Sequence, residues 1–309
     1  GVPRSALARL MPNGDVDLTW DPQIQAQGFT PEVGGLLFDS GRLYVSCRCS
    51  SIGGLQIQGG LVRFDTTSGA IDPGWLADQL GVLVTRIASD GQNLYVNAGE
   101  SSLFQLSRIP ITGNGDVDPN WQPQVQGFNV RAMALDGAGS IYASGNFDEV
   151  QGMPRNGLAK LSTASGAALD LAWQPDVDGI ATSMALVAGQ LYLGGRIRSA
   201  AGVARNNLVR VSTGGTGAVD AGFSPAVKGG TIECMIADGS NDLHLGGRFS
   251  TVDAQPRSSL ASLAMSNGQL LPVATAAEGK ARVDTLLAEP DGSLLVGGRF
   301  TRVGATPRI

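Results

Sequence analysis

The stretch Leu191-Tyr-Leu-Gly-Gly-Arg-Ile197 decides the reading of this chain, because the chain repeats it. It returns as Leu243-His-Leu-Gly-Gly-Arg-Phe249 and as Leu294-Leu-Val-Gly-Gly-Arg-Phe300. Looser copies are Leu43-Tyr-Val-Ser-Cys-Arg-Cys49, Leu94-Tyr-Val-Asn-Ala-Gly-Glu100 and Ile141-Tyr-Ala-Ser-Gly-Asn-Phe147. The copies recur every ~50 residues, the length of one supersecondary unit in a repeat architecture.

Each unit carries four strand-like runs, named a to d in chain order. In the third unit they are Val130–Leu135, Ser140–Ala143, Leu158–Leu161 and Leu169–Trp173. Apolar residues alternate with small or polar ones, the pattern of a half-buried strand, and the helical period is missing. Asp90-Gly91, Asp136-Gly137 and Asp291-Gly292 stand between a and b; Asn13-Gly14, Asn114-Gly115 and Asn267-Gly268 stand between c and d. Both dipeptides supply the positive φ that tight hairpins need. Four antiparallel strands so joined make one propeller blade. The expected fold is therefore all-β, a six-bladed β-propeller of four-stranded antiparallel blades. The chain begins on a strand c and ends on a strand b. Residues 5–22 are thus expected to complete the blade of residues 281–301 and close the ring, making residues 1–309 a single domain without exposed sheet edges.

Bulk properties exclude several classes. A net charge of −5 and a pI near 4.9 argue against a nucleic-acid binder, whose footprint is basic. Apolar runs are only strand-sized, so no helical membrane span is expected. The first residue is glycine, which points to a processed or trimmed chain, and further domains of a larger protein are compatible with this. Cys47, Cys49 and Cys234 form no framework. Buried free thiols are the favoured reading, with a long-range bridge from Cys234 as the alternative.

The pattern Arg-x-x-Leu-Ala-Arg-Leu, then Gly-x-(Val/Leu)-Asp-x-x-(Trp/Phe)-x-Pro, then Gly-Gly-Arg-Phe, resembles the bacterial delta-60 repeat β-propellers. It is clearest in Arg4–Pro22, Arg205–Pro225 and Gly297–Arg308. The resemblance implies a secreted or surface-displayed bacterial propeller, and it brings no catalytic residues.

His244 is the sole histidine, so a histidine-rich metal site cannot be built and a Ser-His-Asp triad has one candidate. By repeat it occupies the position of Tyr44, Tyr95, Tyr142 and Tyr192, which reads as packing between blades. Asp17, Asp72, Asp118, Asp170 and Asp220 recur three residues before Trp20, Trp75, Trp121, Trp173 and Phe223. A carboxylate common to five units is expected to cap backbone N–H groups or pair with arginine. Asn13–Asp17 and Asn114–Asp118 faintly resemble calcium loops but lack the remaining ligands, so no cofactor is expected and calcium stays a weak alternative. Two arginine rows, Arg48, Arg196, Arg248 and Arg299 at the end of b, and Arg4, Arg155, Arg205, Arg257 and Arg308 before c, gather at the b–c connections.

Departures from the repeat mark the candidate site. Unit 2 carries Gly99–Ser102 where other units have a long b–c loop, and unit 3 replaces arginine by Asn146 and adds Asp148 and Glu149. With no convergent acid, base, nucleophile or metal cluster, the chain reads as a non-enzymatic binding or scaffold module. Its protein or glycan ligand is expected on the b–c loop face, at Arg48, Glu100, Asn146, Asp148 and Glu149. The rival is a glycan lyase or hydrolase with carboxylates in the central pocket.

Overall fold

The repeat is written into the strand pairing. The computed structural model describes residues 3–57, 60–80, 84–100, 103–272, 277–278, 281–289, 291–303 and 306–307. In repeat 1, strands a (Glu32–Asp39), b (Arg42–Arg48), c (Gly60–Asp65) and d (Ile71–Ala77) form one antiparallel sheet in that order. Repeat 2 pairs Val84–Ser89, Asn93–Glu100 and Leu103–Pro110. Strands a, b and c of repeat 3 are Val125–Leu135, Ser140–Val150 and Leu158–Ser162, and those of repeat 4 are Val177–Val187, Gln190–Ala200 and Leu208–Ser212. Those of repeat 5 are Ile232–Ala237, Asp242–Gly247 and Leu260–Ala264. In repeats 3 to 5 strand d contracts to single bridges, Leu161↔Leu169, Val211↔Val219 and Leu263↔Leu270. The one helical turn among the described residues is the 3₁₀ turn Asp78–Leu80.

Two compact units divide the chain. Unit 1 holds Gly1–Val130, Val150–Gly152 and Ser162–Ala168, and unit 2 holds Arg131–Glu149, Met153–Leu161 and Leu169–Ile309. In repeat 6, strand b (Leu294–Arg299) pairs with strand a (Arg282–Ala288), and the described residues show no further strand beside it. Residues 5–22 contribute the bridge Leu10↔Val16. Small ladders join d–a connections to b–c hairpins: Ile24–Gln25 pairs with Ser51–Ile52, Val227–Lys228 with Thr251–Val252, and Ala277–Glu278 with Arg302–Val303. The two kinds of connection therefore share one end of their sheets.

The Gly-Gly-Arg signature has a packing cause. A Cβ on the second glycine, Gly195, Gly247 or Gly298, would collide with a carbonyl of strand a, at Ile180, Thr231 or Arg282. Strand a presses there because it carries a bulge: the register shifts between Ala181 and Ser183, between Ile232 and Cys234, and between Val283 and Thr285. The first glycine admits the next repeat. A Cβ on Gly194 would strike Met235 and Ile232, and one on Gly246 would strike Val283, besides Cys234 of its own repeat. Where the first position is not glycine, its side chain bonds the next strand a instead. The Ser46 hydroxyl accepts from Val84 N–H at 3.0 Å, and the Ser144 hydroxyl donates to Ala181 O at 2.9 Å.

A second device ties each repeat to the next through strand c. Arg63 donates to the Asp72 carboxylate at 2.6 Å and to the Ile111 carbonyl of repeat 2 at 2.7 Å. Arg108 repeats this with Asp118 and the Thr163 carbonyl. Arg210 does so with Asp220 and the Met265 carbonyl, both at 2.5 Å. Arg9 uses Asp17 (2.9 Å) and Thr66 O (2.7 Å), and Lys160 uses Asp170 (3.2 Å) and Thr213 O (3.1 Å). The aromatic of strand d follows the same route: Trp75, Trp121 and Trp173 donate Nε1–H to Pro110, Ser162 and Ser212 carbonyls. Each of these tryptophans stands edge-on to the tyrosine of its own strand b, with ring centroids 5.1–5.3 Å apart. The free carboxylate oxygen caps the start of d, accepting from Thr19, Gly74, Asn120, Ala172 and Gly222 N–H.

One expectation is corrected. Cys47 and Cys49 are joined in a disulfide rather than held as free thiols. Alternate residues face one side, and Cys49 lies just past the end of strand b, where the chain turns. The Cα atoms come within 5.5 Å, inside the roughly 4.4–6.8 Å that a bridge spans. Cys234 is free, and burial, with Asp284 and Glu233 nearby, pushes its thiol up to about 12.

Two outcomes follow from this packing. Gly247→Ala should cost about 1–3 kcal/mol in urea unfolding, because backbone must move. Gly239→Ala, where a Cβ meets nothing, should stay within about 0.5 kcal/mol.

Acid should also loosen the repeats. Thr19 hydrogen bonds, with Arg9, draw the Asp17 carboxyl down to about 2. Arg63, Arg108 and Arg210 lower Asp72, Asp118 and Asp220, with backbone N–H bonds assisting. A carboxyl lowered in the folded state contributes fully above its unfolded value of about 4 and loses that contribution as pH falls through the folded value. Stability measured by urea midpoint should therefore drop between about pH 4 and pH 2, and Asp118→Asn should flatten that slope.

Candidate functional site

Most recurrent polar residues are consumed by the architecture. The five aspartates, with Trp75, Trp121 and Trp173, serve the inter-repeat clamp. So do Arg9, Arg63, Arg108, Lys160 and Arg210, the basic residues of strand c, which the sequence reading passed over. Only the sheet pairing marks them, setting Arg63 opposite Tyr44, Arg108 opposite Tyr95 and Arg210 opposite Tyr192. The arginine row before strand c is also inward-turned. Arg155 is buried and donates to the Asp170 carbonyl, and Arg4 does the same to the Asp17 carbonyl. Arg308 lies outside the described residues.

His244 is the most provocative group. Its Nδ1 lies 2.7 Å from the Ser262 hydroxyl and its Nε2 lies 3.1 Å from the Asp238 carboxylate. That is the connectivity of a Ser-His-Asp relay. Two facts assign it to structure. Ser262 is 4% exposed, so its hydroxyl is buried within the packed sheet. The same turn-to-strand bond exists in repeat 2, where Tyr95 donates to the Asp90 carboxylate at 2.8 Å. Repeat 5 has replaced the whole clamp together: His244 for tyrosine, Ser262 for arginine and Leu271 for aspartate.

The calcium-like turns are occupied by their own side chains. Asn13 donates to Asp15 and Asn114 to Asp116, while Asp17 and Asp118 face arginine. Among the described residues no group of three acidic, histidine or cysteine side chains is placed to hold a metal ion.

The expected site residues fall in both units. In unit 1, Arg48 is exposed and lies over the Phe29 ring at 5.1 Å. Glu100 ends strand b of repeat 2, and its side chain, with Ser101 and Ser102, lies outside the described residues. Strand c resumes at Leu103, so the b–c connection is as short as expected there. Beside it lies a cavity of 230 Å³ walled by Gln79, Gly99, Gln105 and Ser107.

In unit 2, Asn146, Asp148 and Glu149 follow one another on strand b of repeat 3. Asn146 alone opens on a cavity, of 260 Å³. The other walls are Arg131, Ile180, Thr182, Arg196, Thr231 and Glu233. The Asn146 Oδ1 is shut off from solvent and accepts no hydrogen bond. Arg196 is exposed and has no ion-pair partner among the described residues. Glu233 accepts from the Thr231 hydroxyl at 2.9 Å and stands 3.8 Å from Arg248 Nε. Asn146 occupies the place that arginine holds in four other repeats, and the shorter side chain leaves the space open. Sequence marked Asn146 as a departure; it did not mark Arg131 or Glu233, because only the sheet pairing brings them beside it.

A family model described as a domain of unknown function (DUF5122) beta-propeller matches residues 1–19. Comparison with curated proteins returns no match. Among solved structures, the chain is similar to the extracellular domain of a protein described as a hybrid two component system from B. thetaiotaomicron. The TM-score is 0.57 at 15% identity, over 89% of this chain and 32% of that one. A second structure of the same protein's extracellular domain, there described as a one component system, gives 0.53 at 15%, again over 89% and 32%. The chain thus spans about a third of the length of that extracellular domain. A protein described as a 6-phosphogluconolactonase from Bacteroides fragilis NCTC 9343 gives 0.51 at 13%, over 93% and 81%. At these identities the likeness concerns the fold: an all-β chain of the β-propeller kind, in which no described helix is long and apolar enough to cross a membrane.

Proposed function

We propose that this chain is a non-enzymatic binding propeller of bacterial origin, exported or displayed at the cell surface, that holds a glycan or protein ligand at its b–c connections. The cavity beside Asn146 carries the reading. It lies where the arginine of four repeats has become a short residue, as it has at Gly99 in repeat 2, and it leaves the buried Asn146 Oδ1 without a donor. A structural role explains the clamp residues because they recur; it does not explain a position that departs. The extracellular setting follows the extracellular domain, solved twice, that shares the fold.

The proposal includes a closed ring of six repeats in one domain, residues 1–309, with residues 5–22 beside strand b of repeat 6. Leu10 is 62% exposed, yet Phe64, Leu161, Val211 and Leu263 at the same repeat position are buried. Leu295 is 52% exposed where four repeats bury a tyrosine. Two complementary half-sheets with bare apolar faces support closure of one on the other.

The enzyme alternative needs two carboxylates facing one substrate. Among the described residues lining the cavity, Glu233 is the one carboxylate, and it is engaged by Thr231.

The test restores the repeat. Asn146→Arg writes the arginine of the other repeats into the cavity, so the protein should fold and melt as before. In a screen of glycans and protein partners, the ligand that binds the parent chain should be lost. Retained binding defeats the site, and release of cleaved glycan by the parent chain defeats the non-enzymatic reading.

A further inference from the structure

We infer that the cavity beside Asn146 takes a small hydroxylated monocarboxylate, a single sugar acid of hexuronate size, with Arg196 as the partner of its carboxylate. This inference rests on the binding reading above and names the ligand class.

Size comes first. A volume of 260 Å³ falls just below the roughly 300 Å³ at which drug-sized pockets begin, which suits one monosaccharide-sized occupant. Charge comes second. The walls carry the guanidinium groups of Arg131 and Arg196 and the carboxylate of Glu233, one positive charge in excess. Arg131 already has a partner in the structure, and Arg196 has none among the described residues. A guanidinium fork without a partner matches a carboxylate in two parallel hydrogen bonds. A phosphate monoester, near −2, would bring a second negative charge toward Glu233 without a second free guanidinium to meet it.

The remaining walls read hydroxyl groups. Glu233 keeps acceptor capacity after its bond from Thr231. The Thr182 hydroxyl gives its proton to the Ile232 carbonyl, at 2.5 Å, so it too faces a ligand as an acceptor. Asn146 contributes space rather than an acceptor, because its Oδ1 is closed off from the cavity as it is from solvent. Two acceptors, Glu233 and Thr182, beside the guanidinium of Arg196 call for a ligand with donor hydroxyls and one anionic group. Ile180 is the apolar wall, and no aromatic ring lines the cavity, so a neutral sugar lacks the stacking face that would hold it without charge.

Isothermal titration of the full chain with D-glucuronate, D-glucose and D-glucose 6-phosphate tests this. Glucuronate should bind at least tenfold more tightly than either of the others. Arg196→Gln, an exposed change that should leave the melting temperature in place, should weaken glucuronate tenfold or more and abolish the preference over glucose. Equal or tighter binding of glucose or glucose 6-phosphate overturns the ligand class; if Asn146→Arg removes that binding, the site survives without it. Absence of glucuronate binding, or glucuronate affinity unchanged in Arg196→Gln, also overturns the class. The binding reading then stands or falls by the wider screen.

Discussion

The structure depends on one interaction made over and over: a cation on strand c, held by an aspartate of its own repeat, reaching a backbone carbonyl of the next. The carbonyl at each c–d turn would otherwise face solvent or a neighbouring apolar sheet. The guanidinium satisfies it, and the aspartate holds the guanidinium in place and compensates its charge. Neither half works alone. An arginine without Asp220 would be a poorly paired buried charge, and Asp220 without Arg210 would be another. The tryptophan indole and the tyrosine ring fill the space around the ion pair, which keeps the local dielectric low and the pairing strong. Flat sheets stacked by apolar side chains slide easily; directed bonds to one carbonyl fix the register between neighbours.

Repeat 5 shows the same logic by its departure. Removing the arginine alone would strand an aspartate, and removing the aspartate alone would strand an arginine. Both are gone, replaced by Ser262 and Leu271, and the tyrosine has become His244. The imidazole then spans Ser262 and Asp238, so no polar atom in that triplet is left unpaired. A constellation with the connectivity of a catalytic relay arises here from repair of a structural motif. Its buried hydroxyl separates it from a working site.

Much of this was legible in the sequence. Strand order, hairpin positions and the shared end of the b–c and d–a connections followed from Asp-Gly and Asn-Gly spacing, because a positive φ is a local property that one residue type supplies. Gly14, Gly91, Gly115 and Gly137 all have it. Asn146 was visible as a broken repeat. What stayed hidden was everything that depends on neighbours across sheets. The strand-c arginines look like ordinary alternating polar residues until the pairing sets Arg210 against Tyr192 and the next repeat's Met265. The Cys47–Cys49 bridge turned on where strand b ends, and hairpin signals do not place that to the residue. Arg131, Thr182 and Glu233 come from three different repeats, and no spacing along the chain announces that they share a cavity.

The central claim is that directed ion-pair clamps, rather than apolar stacking alone, hold consecutive repeats in place. The most direct measurement compares two arginines of the same unit by urea unfolding. Arg210 is largely buried in a clamp, and Arg198 makes an exposed bidentate pair with Asp178. The account predicts that Arg210→Met costs about 2 kcal/mol or more, as expected for loss of charged hydrogen bonds in a shielded setting. It predicts that Arg198→Met stays within about 1 kcal/mol, as surface pairs do. Equal costs for the two substitutions would contradict it.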